Sequence, residues 1–203
     1  MERTVKKLGV KYLCHFTRGE NIENILSNGI IPRSILERGT DQAIFNDQFR
    51  MDGNKDASCF SIGFPNYKMF YRLRKQDEKR PWVVVVLSES LLWEKRCYFY
   101  KENAAAASMR IGGLESKVGV SALREMYVEW PGKPSRANLN IQEEWPTNPQ
   151  AEVMIEGVVE PQYIRGVAVN STGIRDYLHQ RHPMYKISYY PSFFGPRIDY
   201  EHW

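Results

Sequence analysis

The period of the hydrophobic positions changes several times along the 203 residues. From Pro81 to Ser88 the apolar residues run without a break as "PWVVVVLS", a β-branched stretch that predicts a strand buried on both faces near the centre of a sheet. "VKYLCHF" and "ASCFSIGF" predict two earlier strands, and "AEVMIEGVV", "YIRGVAVN" and "YKISYYPS" three later ones. Helical spacing falls between them. Ile22, Ile25 and Leu26 share one face of "TRGENIENILSNGI", "YKMFYRLRKQ" turns basic toward its end, and "STGIRDYLHQR" opens on a capping serine. Thr17 with Glu20 fits a capping box, and Asn28-Gly29 supplies a left-handed helix stop. "CYFYKE", a turn of helix at "NAAAASM" and "SALREMYV" fill the middle of the chain.

The pattern lapses twice. The stretch from Pro32 to Asp56 is polar and broken, and "EWPGKPSRANLNIQEEWPTNPQ" is rich in Pro and Asn with no period. Connections this long inside a compact chain are read as functional loops. Strands and helices mix without strict alternation, so the expected class is α+β with a mixed or antiparallel sheet.

Composition narrows this a little further. The length suits one domain over residues 1–203, and aromatics at 13% with charged residues at 26% describe a globular chain. A net charge of +4 is too small to demand an acidic partner, which leaves local clusters to carry that argument. Cys14, Cys59 and Cys97 are odd in number and set in apolar stretches, as reduced thiols of a cytoplasmic protein would be. "MERTVKKLGV" lacks the apolar core of a signal peptide, and "WVVVVL" is too short to span a membrane, so a soluble protein is expected.

Several chemistries drop out on their motifs. His15, His179, His182 and His202 include one loose pair with no thiolate or acid cluster beside it, so no metal site is expected. No phosphate-binding glycine loop follows a strand, and no G-x-S-x-G elbow is present. One residue stands out instead. Glu152 sits among small and apolar residues directly after "WPTNPQ", on a strand that should be buried. An unpaired carboxylate there costs several kcal/mol or shifts its pKa, so Glu152 is either rim decoration or a working group.

"HFT" at His15 to Thr17, "NDQFRMD" at Asn46 to Asp52, "FPNYKMFYRLR" at Phe64 to Arg74 and "PTNPQAEV" at Pro146 to Val153 occur in that order. Together, from about His15 to about Val169, they resemble the DarT family of DNA-modifying ADP-ribosyltransferase toxins. The resemblance implies an ADP-ribosyltransferase fold, a split sheet around an NAD cleft, and transfer of ADP-ribose to a nucleobase of single-stranded DNA. It implies NAD as co-substrate, a separately encoded macrodomain antitoxin of the DarG kind as partner, and a place in toxin-antitoxin and antiviral defence systems.

Roles for residues follow from the same resemblance. Glu152 occupies the place of the glutamate that bonds the nicotinamide ribose and steadies its growing positive charge. Arg50 matches an arginine that the family uses in catalysis, placed to hold the NAD phosphates and to assist proton removal from the attacking base by positioning and charge stabilisation; its plainer reading is an ion pair with Asp47 or Asp52. His15 matches the histidine that contacts the adenosine-side ribose, the backbone at Phe16 would hold the nicotinamide amide, and Thr17 would touch NAD or merely cap a helix. Asn24 lies within a polar stripe with Asn21 and Asn28 and is a further candidate contact. Tyr71, or failing it Tyr67, would stack on the nicotinamide.

For the acceptor strand, basic residues interleaved with aromatics make Arg72, Arg74 and Lys75 candidate phosphate contacts. In the second long loop, Arg136 and Trp145, with Trp130 and Asn138, are able to pair or stack with bases, or simply to anchor the loop. The forms of "HFT" and "NDQFRMD" are closer to the guanine-modifying branch than to the thymine-modifying one. An RNA-directed relative, an NAD-dependent RNA 2′-phosphotransferase and a binding module without chemistry are the alternatives.

Overall fold

Val83, Val84 and Val85 of the four-valine run are fully buried, as the pattern predicts, and Val86 is partly so. In a computed structural model that describes residues 1–38 and 54–203, the strands are β1 (Tyr12–Arg18), β2 (Ala57–Ile62), β3 (Trp82–Ser88), β4 (Cys97–Tyr100), β5 (Glu152–Glu156), β6 (Ile164–Val169) and β7 (Ile187–Tyr189). They form one sheet in the order β4-β5-β2-β1-β3-β6-β7, which places β3 between two neighbours. Every pairing is antiparallel except that of β6 with β7. Among the described residues, seven α-helical segments accompany them: α1 (Glu2–Lys7), α2 (Ile22–Asn28), α3 (Arg33–Leu36), α4 (Tyr67–Gln76), α5 (Leu91–Glu94), α6 (Gly119–Glu125) and α7 (Thr172–Arg181).

The two faces of the sheet bury different things. Residues paired directly across antiparallel strands share a face, and neighbours along a strand alternate. Leu13, Phe60, Val83, Val85, Val153 and Ile155 therefore point one way, where Ile25 and Leu26 of α2 and Leu123 of α6 complete a continuous apolar core. Each such side chain, fully buried, contributes roughly 1.5–3 kcal/mol. On the opposite face the apolar residues fall into two separate groups. Cys14, Val84 and Trp82 pack under Phe70 and Leu73 of α4 and under Phe193 and Phe194, whereas Ala57, Met154, Tyr98 and Tyr100 pack under Ala104 and Met109.

The sheet is split along one seam. Every residue of β1 pairs with β3, yet β1 meets β2 at two positions alone, Leu13 with Ile62 and Cys14 with Ser61. Beyond Cys14 the two strands part. The His15 side chain spans the gap, its Nδ1 standing 2.9 Å from the Cys59 carbonyl oxygen, where a backbone ladder would otherwise continue.

One local expectation is corrected. Thr17 does not cap a helix: it is the sixth residue of β1, and α2 starts only at Ile22 after a short 3-10 turn, with no side-chain bond at its cap. The register of Thr17 with Val83 holds it in the strand, which overrides the local capping pattern. The first residues, which carry no strong period, form α1, whose Val5 is fully buried in the main core. The expected stop at Asn28-Gly29 is present, with Gly29 at φ 85° and its would-be Cβ 2.2 Å from the Val159 carbonyl oxygen.

Candidate active site

Glu152 opens β5 on the interrupted face, directly opposite Tyr100 and in the interval between the two apolar groups. It is 6% exposed. Its Oε2 accepts the backbone N–H of Ala104 at 2.9 Å, and its Oε1 is approached by the side-chain amides of Asn103 at 3.4 Å and Asn66 at 3.5 Å. Hydrogen bonds from neutral donors are what allow a carboxylate to remain charged when water is removed.

Asn66 does two jobs with one side chain. Its Oδ1 caps α4 by accepting from Met69 N at 3.2 Å, while its Nδ2 faces Glu152, and its own N–H donates to Ser61 Oγ at 3.1 Å. The N-terminus of α4 is thereby held beside the acid, and the positive end of a helix favours negative charge. Neither Asn66 nor Asn103 was anticipated from sequence. "FPNYKMF" marks Asn66 as a helix cap, but nothing local shows that its other arm reaches a residue far along the chain.

Glu156, two positions on along β5, is a useful contrast. Its side chain is 40% exposed, accepts from the Tyr98 hydroxyl at 2.5 Å and lies 3.6 Å from Arg96 Nε. It is a partly solvated acid, whereas Glu152 on the same strand is buried.

His15 lies on the opposite face from Glu152 by strand alternation, beside the Phe60 ring at 5.4 Å between centroids. Burial lowers its pKa from 6.5, with the Cys59 bond opposing in part, so the ring is neutral near pH 7. Because its partner is a carbonyl, the proton sits on Nδ1, and Nε2 is left as an acceptor. Phe16 points to the Glu152 face and stacks on Phe70 at 4.7 Å and 10°. Thr17, 2% exposed, accepts from Asn21 Nδ2 at 3.1 Å, and Asn24 accepts from Asn28 Nδ2 at 2.6 Å.

The tyrosines of α4 separate clearly. Tyr67 is buried, and its hydroxyl has no partner among the described residues; burial first, then the charge of Asp199, pushes its pKa up to about 12. Tyr71 is 56% exposed, with Lys75 Nζ 5.8 Å from its ring centre. Arg50 and the rest of "NDQFRMD" lie outside the described residues.

The expected strand contacts divide in the same way. Arg72 and Lys75 are exposed, Lys75 in an ion pair of 2.6 Å with Glu78. Arg74 is turned inward: its guanidinium lies over Phe70 and Phe194 and donates to the Phe194 carbonyl. Arg136 is engaged inside its loop, donating to Thr147 Oγ1 at 2.8 Å and the Glu143 carbonyl at 3.0 Å. Trp145 packs on Phe64 and seals against Gly63, whose φ of +71° leaves a Cβ no room, 2.4 Å from the indole Cδ1. Trp130 packs against Trp203.

Among the described residues no group of His, Cys, Asp and Glu could hold a metal ion, and no helix is long and apolar enough to cross a membrane. Cys14, Cys59 and Cys97 form no disulfide, and burial pushes the Cys97 thiol up to about 12.

Solved structures with the same fold, and one family model, match this chain. The solved structure of Thermosipho africanus DarTG in complex with ADP-ribose superposes with a TM-score of 0.66 at 17% identity, over 91% of this chain and 51% of that one. This chain thus spans about half of the Thermosipho chain's length. Thermus sp. 2.9 DarT in complex with ADP-ribosylated single-stranded DNA gives a TM-score of 0.60 at 12% identity, over 92% of this chain and 97% of that one. The same Thermus protein in complex with NAD+ gives 0.58 at 12% identity, over 91% and 98%. Comparison with curated proteins yields no match. At these identities the structural likeness shows a shared fold, the α+β fold of the DarT ADP-ribosyltransferases. The family model described as "ssDNA thymidine ADP-ribosyltransferase, DarT" matches residues 14–195, nearly the whole chain, and the chain belongs to that family.

Proposed function

We propose that this protein transfers ADP-ribose from NAD to a base of single-stranded DNA and releases nicotinamide. The observation that carries the reading is Glu152: a buried carboxylate that accepts the Ala104 N–H, between two apolar groups beside a seam in the sheet. A working group fits that placement, because a structural acid gains nothing there that Glu156 does not gain at the surface.

The residues present suit a dinucleotide. Glu152 offers a negative charge in a region screened from water, His15 offers a neutral acceptor at the seam, and Tyr71 offers an exposed ring on α4. NAD supplies a glycosidic bond to a cationic pyridine, which leaves as neutral nicotinamide with the bonding electrons. Glu152 accepts a hydrogen bond from a hydroxyl of the nicotinamide ribose and steadies the positive charge that gathers on the sugar as that bond weakens. The low local dielectric makes this interaction far stronger than in water. The acceptor nitrogen of the base bonds to the same sugar carbon, and its proton passes to solvent. Since His15 and Glu152 sit on opposite faces, the two ribose contacts require the cofactor to thread the seam where β1 leaves β2. Arg50 holds the phosphates, Phe16 the nicotinamide amide through its backbone, and Thr17 and Asn24 line the adenosine side.

The exposed Arg72 and Lys75 contact the strand's phosphates, whereas Arg74, Arg136 and Trp145 act on it through the shape of the α4 end and the loop before Glu152. A base must leave its stack to reach the sugar, so single strands are preferred. Guanine is the proposed acceptor, on the forms of "HFT" and "NDQFRMD"; the family's description names thymidine. A macrodomain antitoxin is the proposed partner in a cytoplasmic toxin-antitoxin pair, and residues 1–203 act as one catalytic domain.

The test is mass spectrometry of single-stranded oligonucleotides, each offering one base, after incubation with protein and NAD. Gain of one ADP-ribosyl group on the guanine strand is expected. Gain on thymine alone would reject the base, gain on matched RNA alone would reject DNA, and no gain on any strand would reject the reaction.

A further inference from the structure

The loop before Glu152 is clamped from a part of the chain that lies past the region matched to the family. Arg197 and Asp199 form an ion pair of 2.6 Å with side chains 2% and 0% exposed. Two charges taken out of water cost several kcal/mol each unless their hydrogen bonds are filled, and here they are. Arg197 donates from Nε and Nη2 to the two Asp199 oxygens, from Nη1 to the Pro146 carbonyl at 2.8 Å and from Nη2 to the Thr147 carbonyl at 2.7 Å. Trp203 Nε1 adds a further bond to Asp199 Oδ2 at 2.7 Å. A guanidinium suits this task because its planar fork can serve a carboxylate and two carbonyls at once, which an ammonium cannot.

Thr147 is the point where three segments meet. Its carbonyl is held by Arg197, its hydroxyl by Arg136 and its N–H by the Met126 carbonyl at the end of α6. From there to Glu152 the chain has little freedom. Pro146 and Pro149 fix φ near about −65°, Gln150 N donates to Asn148 Oδ1 at 2.8 Å, and Ala151 N donates to the Asn148 carbonyl at 3.1 Å. The Arg197 guanidinium also lies 6.0 Å from the Trp145 ring centre, and that ring presses on Gly63 and Phe64, just before Asn66. Two of the supports of Glu152, its own strand entry and the α4 cap, thus lead back to Arg197.

We propose that Arg197, locked by Asp199, is a positioning residue that sets the placement of Glu152 and of the acceptor loop. It acts through the Pro146 and Thr147 carbonyls and touches no substrate. This rests on the transferase reading given above. Loss of the clamp lets the 146–152 segment shift, which misplaces the carboxylate while leaving the cofactor's other contacts in place.

The test uses two variants, Arg197→Lys, which keeps a charge for Asp199, and the double variant R197M/D199L, which replaces the buried pair with apolar side chains that a core tolerates. For each, thermal melting, hydrogen exchange of the amides in residues 147–153, and kcat and KM for NAD and for a single-stranded oligonucleotide are measured. Cooperative melting in at least one variant is expected, with exchange of those amides rising tenfold or more. Transfer kcat should fall tenfold or more, and KM for NAD should stay within threefold of the parent. Exchange or transfer kcat within twofold of the parent in a folded variant would overturn the proposal. So would a loss of kcat that follows the loss of folded protein and no more. If the parent modifies no strand at all, the transferase reading has failed, and the exchange rates alone decide the clamp.

Discussion

The two faces of the sheet are built by the same strands, yet one is sealed and the other interrupted. The sealed face gathers Leu13, Val83, Val85, Val153 and Ile155 into a single core with α2 and α6. The interrupted face divides into an aromatic group under α4 and a smaller group around Met154, and Glu152 stands in the interval with Asn66 and Asn103. A continuous core gains more from burial than a divided one does, so the interval is a cost in stability. Proteins accept such costs where chemistry requires a polar group away from water.

Glu152 and Glu156 bring that comparison down to one strand, since they share a face of β5 and differ in environment. The largest predicted effect is therefore a difference between two like substitutions. Glu152→Gln should lower transfer kcat by about 100- to 1,000-fold, the range for removing one preorganised charge from a transition state, while its melting temperature stays level or rises. Glu156→Gln should stay within about twofold of the parent, as expected for a solvated group. Equal losses in both, read as initial rates of nicotinamide release with oligonucleotide present, would break the contrast.

Asn66 sharpens the same comparison by separating support of the helix from support of the acid. Asn66→Ser keeps a good α4 cap but is too short to reach Glu152; kcat should fall about tenfold, or about 1.4 kcal/mol, the low end for a hydrogen bond to a charged group. Asn66→Ala should show the same kinetic loss plus about 1 kcal/mol of stability from the lost cap. If N66S turned over like the parent, the bond to Glu152 would have no role in catalysis.

Much of this architecture could be read from pattern alone, for reasons that differ by element. The run from Trp82 to Ser88 has one reading because β-branched residues in succession suit a strand enclosed on both sides. α4 begins and ends where "PNYKMFYRLRKQD" predicts, because Asn66 is a good cap and the apolar spacing is helical. Thr17 misled because a capping box is a four-residue signal, whereas its place in β1 is set by pairing with Val83 far along the chain. The site divides similarly. Glu152 was visible as an acid where an acid should not be, but Asn66, Asn103 and the Arg197 clamp depend on contacts between distant segments, which one sequence does not record. Arg136 and Trp145 have the right chemistry for nucleic acid, yet the folded loop uses both internally.

A smaller effect separates the two kinds of basic residue on α4. Arg72→Ala with Lys75→Ala should weaken oligonucleotide binding several-fold and lower the slope of log K against log salt by about 1.4, the value for two single-strand phosphate contacts. KM for NAD should not move. An unchanged salt slope in a binding titration would remove both residues from the DNA surface.

The smallest effect concerns pH. His15 resists protonation in the folded protein because burial lowers its pKa from 6.5, so the unfolded chain takes up the proton first. Its contribution to stability is complete above pH 6.5 and is lost as pH falls below that value. Melting temperatures between pH 5 and 7.5 should drop on the acid side in the parent and drop less in His15→Gln. Parallel curves would show that His15 does not titrate with folding.

The central claim is that the interval beside the seam is where the nicotinamide ribose sits, and a crystal structure with a non-hydrolysable NAD analogue tests it most directly. The account predicts a ribose hydroxyl of the nicotinamide half within hydrogen-bond reach of a Glu152 oxygen, about 2.6–3.2 Å, with the adenosine-side ribose at His15 Nε2 across the seam. A dinucleotide bound elsewhere, with Glu152 still held by Ala104 and the interval beside it closed, would contradict it.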